Sequence, residues 1–120
     1  MANALDGTEM SKQYEGFERI RRWAADRNLI DGSTPQAQML KLVEELGELA
    51  AEIAKGNPEG QIDGAGDAIV VLTILSAQLG FTIEEAIDHA WGEIKDRKGQ
   101  MVDGIFIKEA PTLGSTAWHR

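Results

Sequence analysis

The sequence predicts an all-α fold: a four- to five-helix bundle with a short C-terminal β-hairpin. Three observations predict it. Apolar residues recur at helical spacing through several long segments. Those segments are bounded by helix start and stop chemistry at Thr34-Pro35, Gly56-Asn57-Pro58, Gly80 and Thr82-Ile83-Glu84-Glu85. Only Met101 to Ile107, around Asp103-Gly104, reads as paired strands.

A chain of 120 residues makes one domain, with 1–10 expected as a leader, 11–110 as the folded body and 111–120 as a tail. Twenty acidic residues against twelve basic ones give a net charge of -8. That balance argues against a nucleic-acid binder, which needs a basic surface to displace counterions. With no cysteine, disulfides, thiolate metal sites and cysteine nucleophiles are excluded. The N-terminus has no signal-peptide pattern, and the apolar run near Ala68 to Leu75 is too short to span a bilayer, so no membrane association and a cytoplasmic location are expected.

In order, Ser11 is placed to cap a first helix in which Tyr14, Phe17, Ile20 and Ala24 recur on one side. Trp23 stands at the edge of that stripe, either as core or as a rim aromatic able to stack on a base. Thr34 and Pro35 open a second helix running to about Ala54. Its apolar face is Met39, Leu42, Val43, Leu46, Leu49, Ala50 and Ile53; Lys41, Glu44, Glu45, Glu48 and Glu52 form the other. Gly47, costly in a helix interior, suggests close approach by another element.

A third helix, from Ile62 to Leu79, is apolar on almost every side and is expected at the centre. Gly64 and Gly66 within it suggest close packing or a cramped ligand site. Gly80 ends it, and the capping box at Thr82 to Glu85 opens a fourth helix that buries Ile83, Ala86, Ile87, Ala90, Trp91 and Ile94. That helix is expected to end in Lys95, Arg97 and Lys98. The cluster complements the helix dipole or, in so acidic a protein, offers a place for phosphate oxygens. Trp118 in the tail could dock on a neighbour.

The acidic residues carry the functional signal. Glu44, Glu45 and Glu48 lie on one side of the second helix, and Asp63 and Asp67 lie one turn apart near the start of the third. Antiparallel helices could bring all five into one small volume, which needs cations between them because clustered carboxylates repel. Taken alone, the acidic face of the second helix is an ordinary solvated surface, with Lys41 and Glu45 as an i,i+4 pair. Asp63 likewise reads as a first-turn residue favoured by the dipole. Asp67 lies deeper, on the same line as Val70 and Ile74, and is costly there unless paired or metal-bound. These residues point to a magnesium site handling a polyphosphate. No P-loop is present as an alternative nucleotide site.

Glu44-Glu45-x-x-Glu48 followed by the aspartates of the next helix resembles the MazG-like nucleoside triphosphate pyrophosphohydrolases, members of the all-α pyrophosphatase superfamily. The similarity extends from about Tyr14 to Glu109. Its Arg97-Lys98-Gly99 and Asp103-Gly104 tail is similar to that of short phage and integron-type members. One departure stands out: the family's second motif is Glu-x-x-Asp, and here Gly64 holds the place of its glutamate, with Asp63 one residue earlier.

The resemblance implies hydrolysis of ribo- or deoxyribonucleoside triphosphates between the α and β phosphates, giving the monophosphate and pyrophosphate. It implies Mg²⁺, with Mn²⁺ as a substitute, held by Glu45, Glu48 and Asp67. Glu44 and Asp63 are further ligands or the base for the attacking water. Lys41, Lys95, Arg97 and Lys98 would meet the triphosphate, and Trp23 the base. It also implies helices shared across a homodimer or a dimer of dimers. The alternatives are a dUTPase- or dCTPase-like enzyme with tighter base selection, or a non-catalytic helical module that binds nucleotide or protein.

Overall fold

A computed structural model describes residues 7–110, with side chains from Tyr14 onward. Most of the leader, the whole tail and Trp118 lie outside the described residues, as does the Ser11 side chain. Four helices and a hairpin follow in order: α1 Gly7–Asp26, α2 Pro35–Lys55, α3 Pro58–Gln78, α4 Ile83–Ile94, β1 Gly99–Val102 and β2 Ile105–Lys108. The all-α class with a C-terminal hairpin is as expected. The residues divide into two compact units, one ending at Ala86 and one beginning at Ile87.

In the first unit α3 is central. It packs extensively on α2 and more lightly on α1. α1 starts at Gly7, four residues before the expected cap at Ser11, because Glu9 and Met10 are good helix formers that extend it backward. It ends where Asn28, at φ 59°, takes the left-handed conformation. There the Leu29 amide donates to Ala24 O at 2.9 Å and the Asn28 amide to Ala25 O at 3.0 Å, a Schellman close.

Thr34 caps α2 as its sequence predicts, accepting from the Ala37 amide at 3.1 Å with Pro35 next in line. At the far end Gly56, at φ 69°, lets the Asn57 amide reach Glu52 O at 3.1 Å. Pro58 then starts α3, four residues earlier than Ile62. The reversal is tied by Asn57 Nδ2, which donates to Glu52 Oε1 at 2.9 Å. The resulting α3 is 21 residues long and apolar enough, by length and composition, to cross a membrane. Neighbouring helices cover only part of that apolarity: 39% of the most apolar stretch is buried, and Ile62 and Ile69 are exposed.

The line of α3 that meets α2 is Gly64, Ala68 and Val71, and the line of α2 that receives it is Leu42, Glu45 and Leu49. A Cβ built on Gly64 would stand 3.1 Å from Leu49 Cα, so the glycine permits the approach. Gly47, expected to mark a close contact, meets nothing within 4 Å. The expected apolar face of α2 is largely uncovered: Leu42 is buried, but Met39, Val43, Leu46 and Ile53 are exposed. The register explains this. Met39, Val43, Leu46, Ala50 and Ile53 follow one another at helical spacing about 100° round from the Leu42–Glu45–Leu49 line, so α3 covers one line and leaves the next.

Two polar ties complete the unit. Gln78 Nε2 at the end of α3 donates to Ile30 O at 3.2 Å, fixing the α1–α2 connection. Arg21 of α1 pairs bidentately with Glu84 at the start of α4, with both contacts at 2.7 Å and both side chains about four-fifths buried. The capping box forms: the Glu85 amide donates to Thr82 Oγ1 at 3.1 Å, and the Thr82 amide to Glu85 Oε1 at 3.2 Å. Ile83 is buried behind it.

In the second unit, Ile87, Trp91 and Ile94 are exposed, contrary to the expected buried face of α4. Both faces of the hairpin are exposed as well, so the unit has no inner layer for them. Lys95, Arg97 and Lys98 follow the helix and do not close it, since α4 stops at Ile94. The hairpin pairs Val102 with Ile105 and Met101 with Phe106 across Asp103-Gly104. The φ values of 51° and 81° at these two residues are those of a type I′ turn.

Opposite stability effects are expected at two α3 glycines. Gly66→Ala should raise unfolding free energy by about 1 kcal/mol, since its Cβ meets nothing within 4 Å and helix propensity alone acts. Gly64→Leu should lower it by ~1–3 kcal/mol, because backbone on α2 must give way. Urea denaturation checks both; equal effects would remove Gly64 from the helix contact.

The Arg21–Glu84 pair makes a pH prediction. Its hydrogen bond to Arg21 holds the Glu84 carboxyl below its usual value, and Arg21 is raised in return. The stabilisation is therefore present above the ordinary glutamate pKa of about 4.3 and lost as pH falls through the lower folded value. Glu84→Gln should cost ~1–3 kcal/mol at neutral pH, and the gap should close on acidification through that window. Thermal melts across pH would show it; a constant gap would mean the effect is not ionic.

Candidate active site

The α3 register decides where the acidic residues go. With Gly64 and Ala68 turned to α2, Asp63 and Asp67 fall on the adjoining line and face α1. Both are exposed, and both line an open groove of about 670 Å³ with Ile20, Ile62, Gly66 and Val70. Because α3 starts at Pro58, Asp63 sits in its second turn and not its first. Asp63 and Asp67 thus share a wall one turn apart, while Gly64 points away from it. The groove continues as a space of about 550 Å³ lined by Gly16, Arg19, Ile20, Trp23, Asp67 and Val70. Trp23 is 45% exposed, with Arg27 4.6 Å from its ring centroid.

The glutamates of α2 go elsewhere. Glu45 lies in the line that meets α3 and is 6% exposed. Its Oε2 is 3.2 Å from Lys41 Nζ, whereas its Oε1 is buried with no hydrogen-bond partner. Such an oxygen normally has a partner, and a buried carboxylate lacking one is costly. Glu44 is exposed and 3.1 Å from the same lysine. Lys41, expected to meet phosphate, is thus engaged by two carboxylates, with its pKa raised first by Glu44 and then by Glu45. Glu48 is exposed on α2.

The expected convergence of Glu44, Glu45, Glu48, Asp63 and Asp67 on one volume is not what this chain forms. Among the described residues no group of three or more acidic or histidine side chains is placed to hold a metal ion. The cause is the register: α3 meets α2 through Gly64 and Ala68, so its aspartates flank the interface on the α1 side while Glu45 is inside it. Lys95, Arg97 and Lys98 belong to the second unit and are exposed there. Sequence reading missed Gly16 and Arg19. Their spacing from Ile20 and Trp23 on one face of α1 was the available signal.

Residues 33–102 match the model of the MazG nucleotide pyrophosphohydrolase domain. The chain is also similar to an uncharacterized 18.2 kDa protein from the rep-hol intergenic region of Haemophilus phage HP1, with 49% identity over 69 residues. That match covers 58% of this chain and 42% of the phage protein, so the similarity spans less than half of its length. No solved structure matches the chain. The family match takes in α2, α3, α4 and β1 and leaves α1 outside. With more than half of its residues matched, this chain belongs to the MazG nucleotide pyrophosphohydrolase family.

Proposed function

We propose that the protein hydrolyses nucleoside triphosphates between the α and β phosphates, releasing the monophosphate and pyrophosphate, with Mg²⁺ as cofactor. The observation that carries this reading is the Asp63 and Asp67 pair: two carboxylates one helical turn apart on the wall of an open groove, within the family-matched residues. The donor set fits a hard cation. Mg²⁺ takes oxygen ligands, keeps several waters, and is commonly held by one or two carboxylates plus substrate phosphates. A group of three protein carboxylates is therefore not required.

Asp67 and Asp63, one turn apart in the groove, would hold the ion together with substrate phosphates, while Glu44, Glu45 and Glu48 stand off the groove on α2. The bound ion would polarise the phosphoryl group and neutralise developing charge. Asp63 takes the place of the glutamate absent at Gly64, since Asp63 lines the groove with Asp67 and residue 64 does not. Lys95, Arg97 and Lys98 are exposed within the second unit. A homodimer would cover the exposed Met39, Val43, Leu46 and Ile53 stripe of α2.

Incubation of the protein with a panel of ribo- and deoxyribonucleoside triphosphates, with Mg²⁺ or EDTA, should give monophosphate and pyrophosphate only with metal. Asp67→Asn should reduce turnover by a factor of 10²–10⁴ or more, on the order expected for loss of a group acting in the transition state. Glu45→Met should raise stability in EDTA by ~1–3 kcal/mol, since it removes a buried unpartnered carboxylate and leaves Lys41 with Glu44. Destabilisation by Glu45→Met would make that residue structural. Nucleotide binding without turnover in the presence of metal would favour a non-catalytic binding module.

A further inference from the structure

We propose that the Arg19–Trp23 end of the groove is a nucleobase compartment and that Arg19 reads the base edge, favouring guanine over adenine. The proposal rests on the nucleotide reading above and adds to it the class of base.

Gly16, Arg19, Ile20 and Trp23 recur at i, i+3, i+4 and i+7, so α1 presents them as one wall. Opposite stand Asp67 and Val70. The two ends of the groove share Ile20, Asp67 and Val70, so a ligand anchored at Asp63 and Asp67 by its metal-bound phosphates extends directly toward Trp23. The ends differ in chemistry. One carries Asp63 and Asp67; the other shares Asp67 and adds apolar walls, an indole and a guanidinium. A nucleoside has the matching character, with flat apolar faces and a polar edge.

Three details support an occupant there. Gly16 is inside α1, where glycine is unfavourable, yet a Cβ added to it meets nothing within 4 Å. No packing contact therefore calls for the glycine, unlike Gly64, and a side chain at 16 would occupy open space on the lining. Gly66 repeats this on the opposite wall near Asp67; Gly47 and Gly92 are equally open but line neither part of the groove. Trp23 is held, with Arg27 over its ring and Arg27 Nη1 donating to Trp23 O at 3.1 Å, and it still lines the groove. Arg19 makes no hydrogen bond or ion pair among the described residues, whereas Arg21, Arg22 and Arg27 each make at least one.

An arginine offers only donors. Guanine presents O6 and N7 side by side as acceptors and takes an arginine bidentately. Adenine sets the N6 amino donor beside N7 and opposes it. The helix carrying Arg19 lies outside the residues matched to the family domain, so base choice can be set there without altering the acidic helices.

The test is calorimetric titration of the full chain with GMP and with AMP in EDTA, which isolates the compartment from the metal and from turnover. GMP should bind roughly tenfold or more tightly than AMP. Arg19→Gln should remove the guanine preference, weakening GMP while leaving AMP as tight or tighter, since a glutamine amide can pair with adenine N6 and N7. Gly16→Leu should weaken both without lowering the melting temperature, since leucine is a good helix former and a Cβ at this position meets nothing within 4 Å. Equal binding of the two nucleotides by the wild type would overturn the proposal. So would an equal loss of both in Arg19→Gln, which would assign Arg19 to phosphate, or unchanged binding in Gly16→Leu. Guanine preference without metal-dependent hydrolysis would remove the proposed reaction and keep the compartment. Hydrolysis without guanine preference would do the reverse.

Discussion

The contact between Gly64 and Leu49 sets the geometry on which the rest of the first unit depends. Two helices joined by only Gly56 and Asn57 must run antiparallel, but nothing in so short a connection fixes their rotation. The missing Cβ at residue 64 does. It lets α3 lie against the backbone of α2 and brings Ala68 and Val71 into line with Leu42. Once that line is fixed, helical periodicity turns Asp63, Asp67 and Val70 toward α1. A glycine thus places the acids that flank it.

The same rotation creates tension in two places. Glu45 is carried into the interface with one oxygen unpartnered, and the Met39–Ile53 stripe is carried out of it. Neither is favourable for an isolated chain. Stability alone would choose an apolar residue at 45 and polar residues along the stripe. Glu45 Oε1 and the stripe are alike in lacking a partner among the described residues. The hairpin, exposed and apolar on both faces, is in the same position.

Much of this was legible in the sequence. Thr34-Pro35, Gly56, the Thr82–Glu85 box and Asp103-Gly104 specify their local geometry through their own side chains and backbone, so the elements they bound could be read directly. What could not be read was rotation. The apolar face of α2 was broad enough to contain two lines, and a pattern in one helix does not say which line its neighbour will take. The choice depended on the absence of a side chain on another helix. The five carboxylates were expected to converge for the same reason: each was placed correctly on its own helix, and the error lay in the angle between helices. Asp63 was read as a first-turn residue because the third helix was expected to begin at Ile62, whereas α3 begins at Pro58. Arg19 was hidden among the charges of α1, since only the groove distinguishes it from Arg22.

The division between α1 and the other helices has a physical basis in how α1 is attached. α2 and α3 are locked by backbone-level contact and a tied reversal, which suits groups whose positions must be reproduced closely. α1 packs more lightly on α3 and is held by discrete polar ties: Arg21 to Glu84, and Gln78 to the Ile30 carbonyl beyond its end. Such ties fix an element at points and leave the surface between them free to vary. The wall formed by Gly16, Arg19 and Trp23 is that surface. Its side chains line the groove and are exposed, so they can change with little cost to the fold. The acids on α3 have no such freedom, because any shift in register large enough to move them would drive a side chain into Leu49.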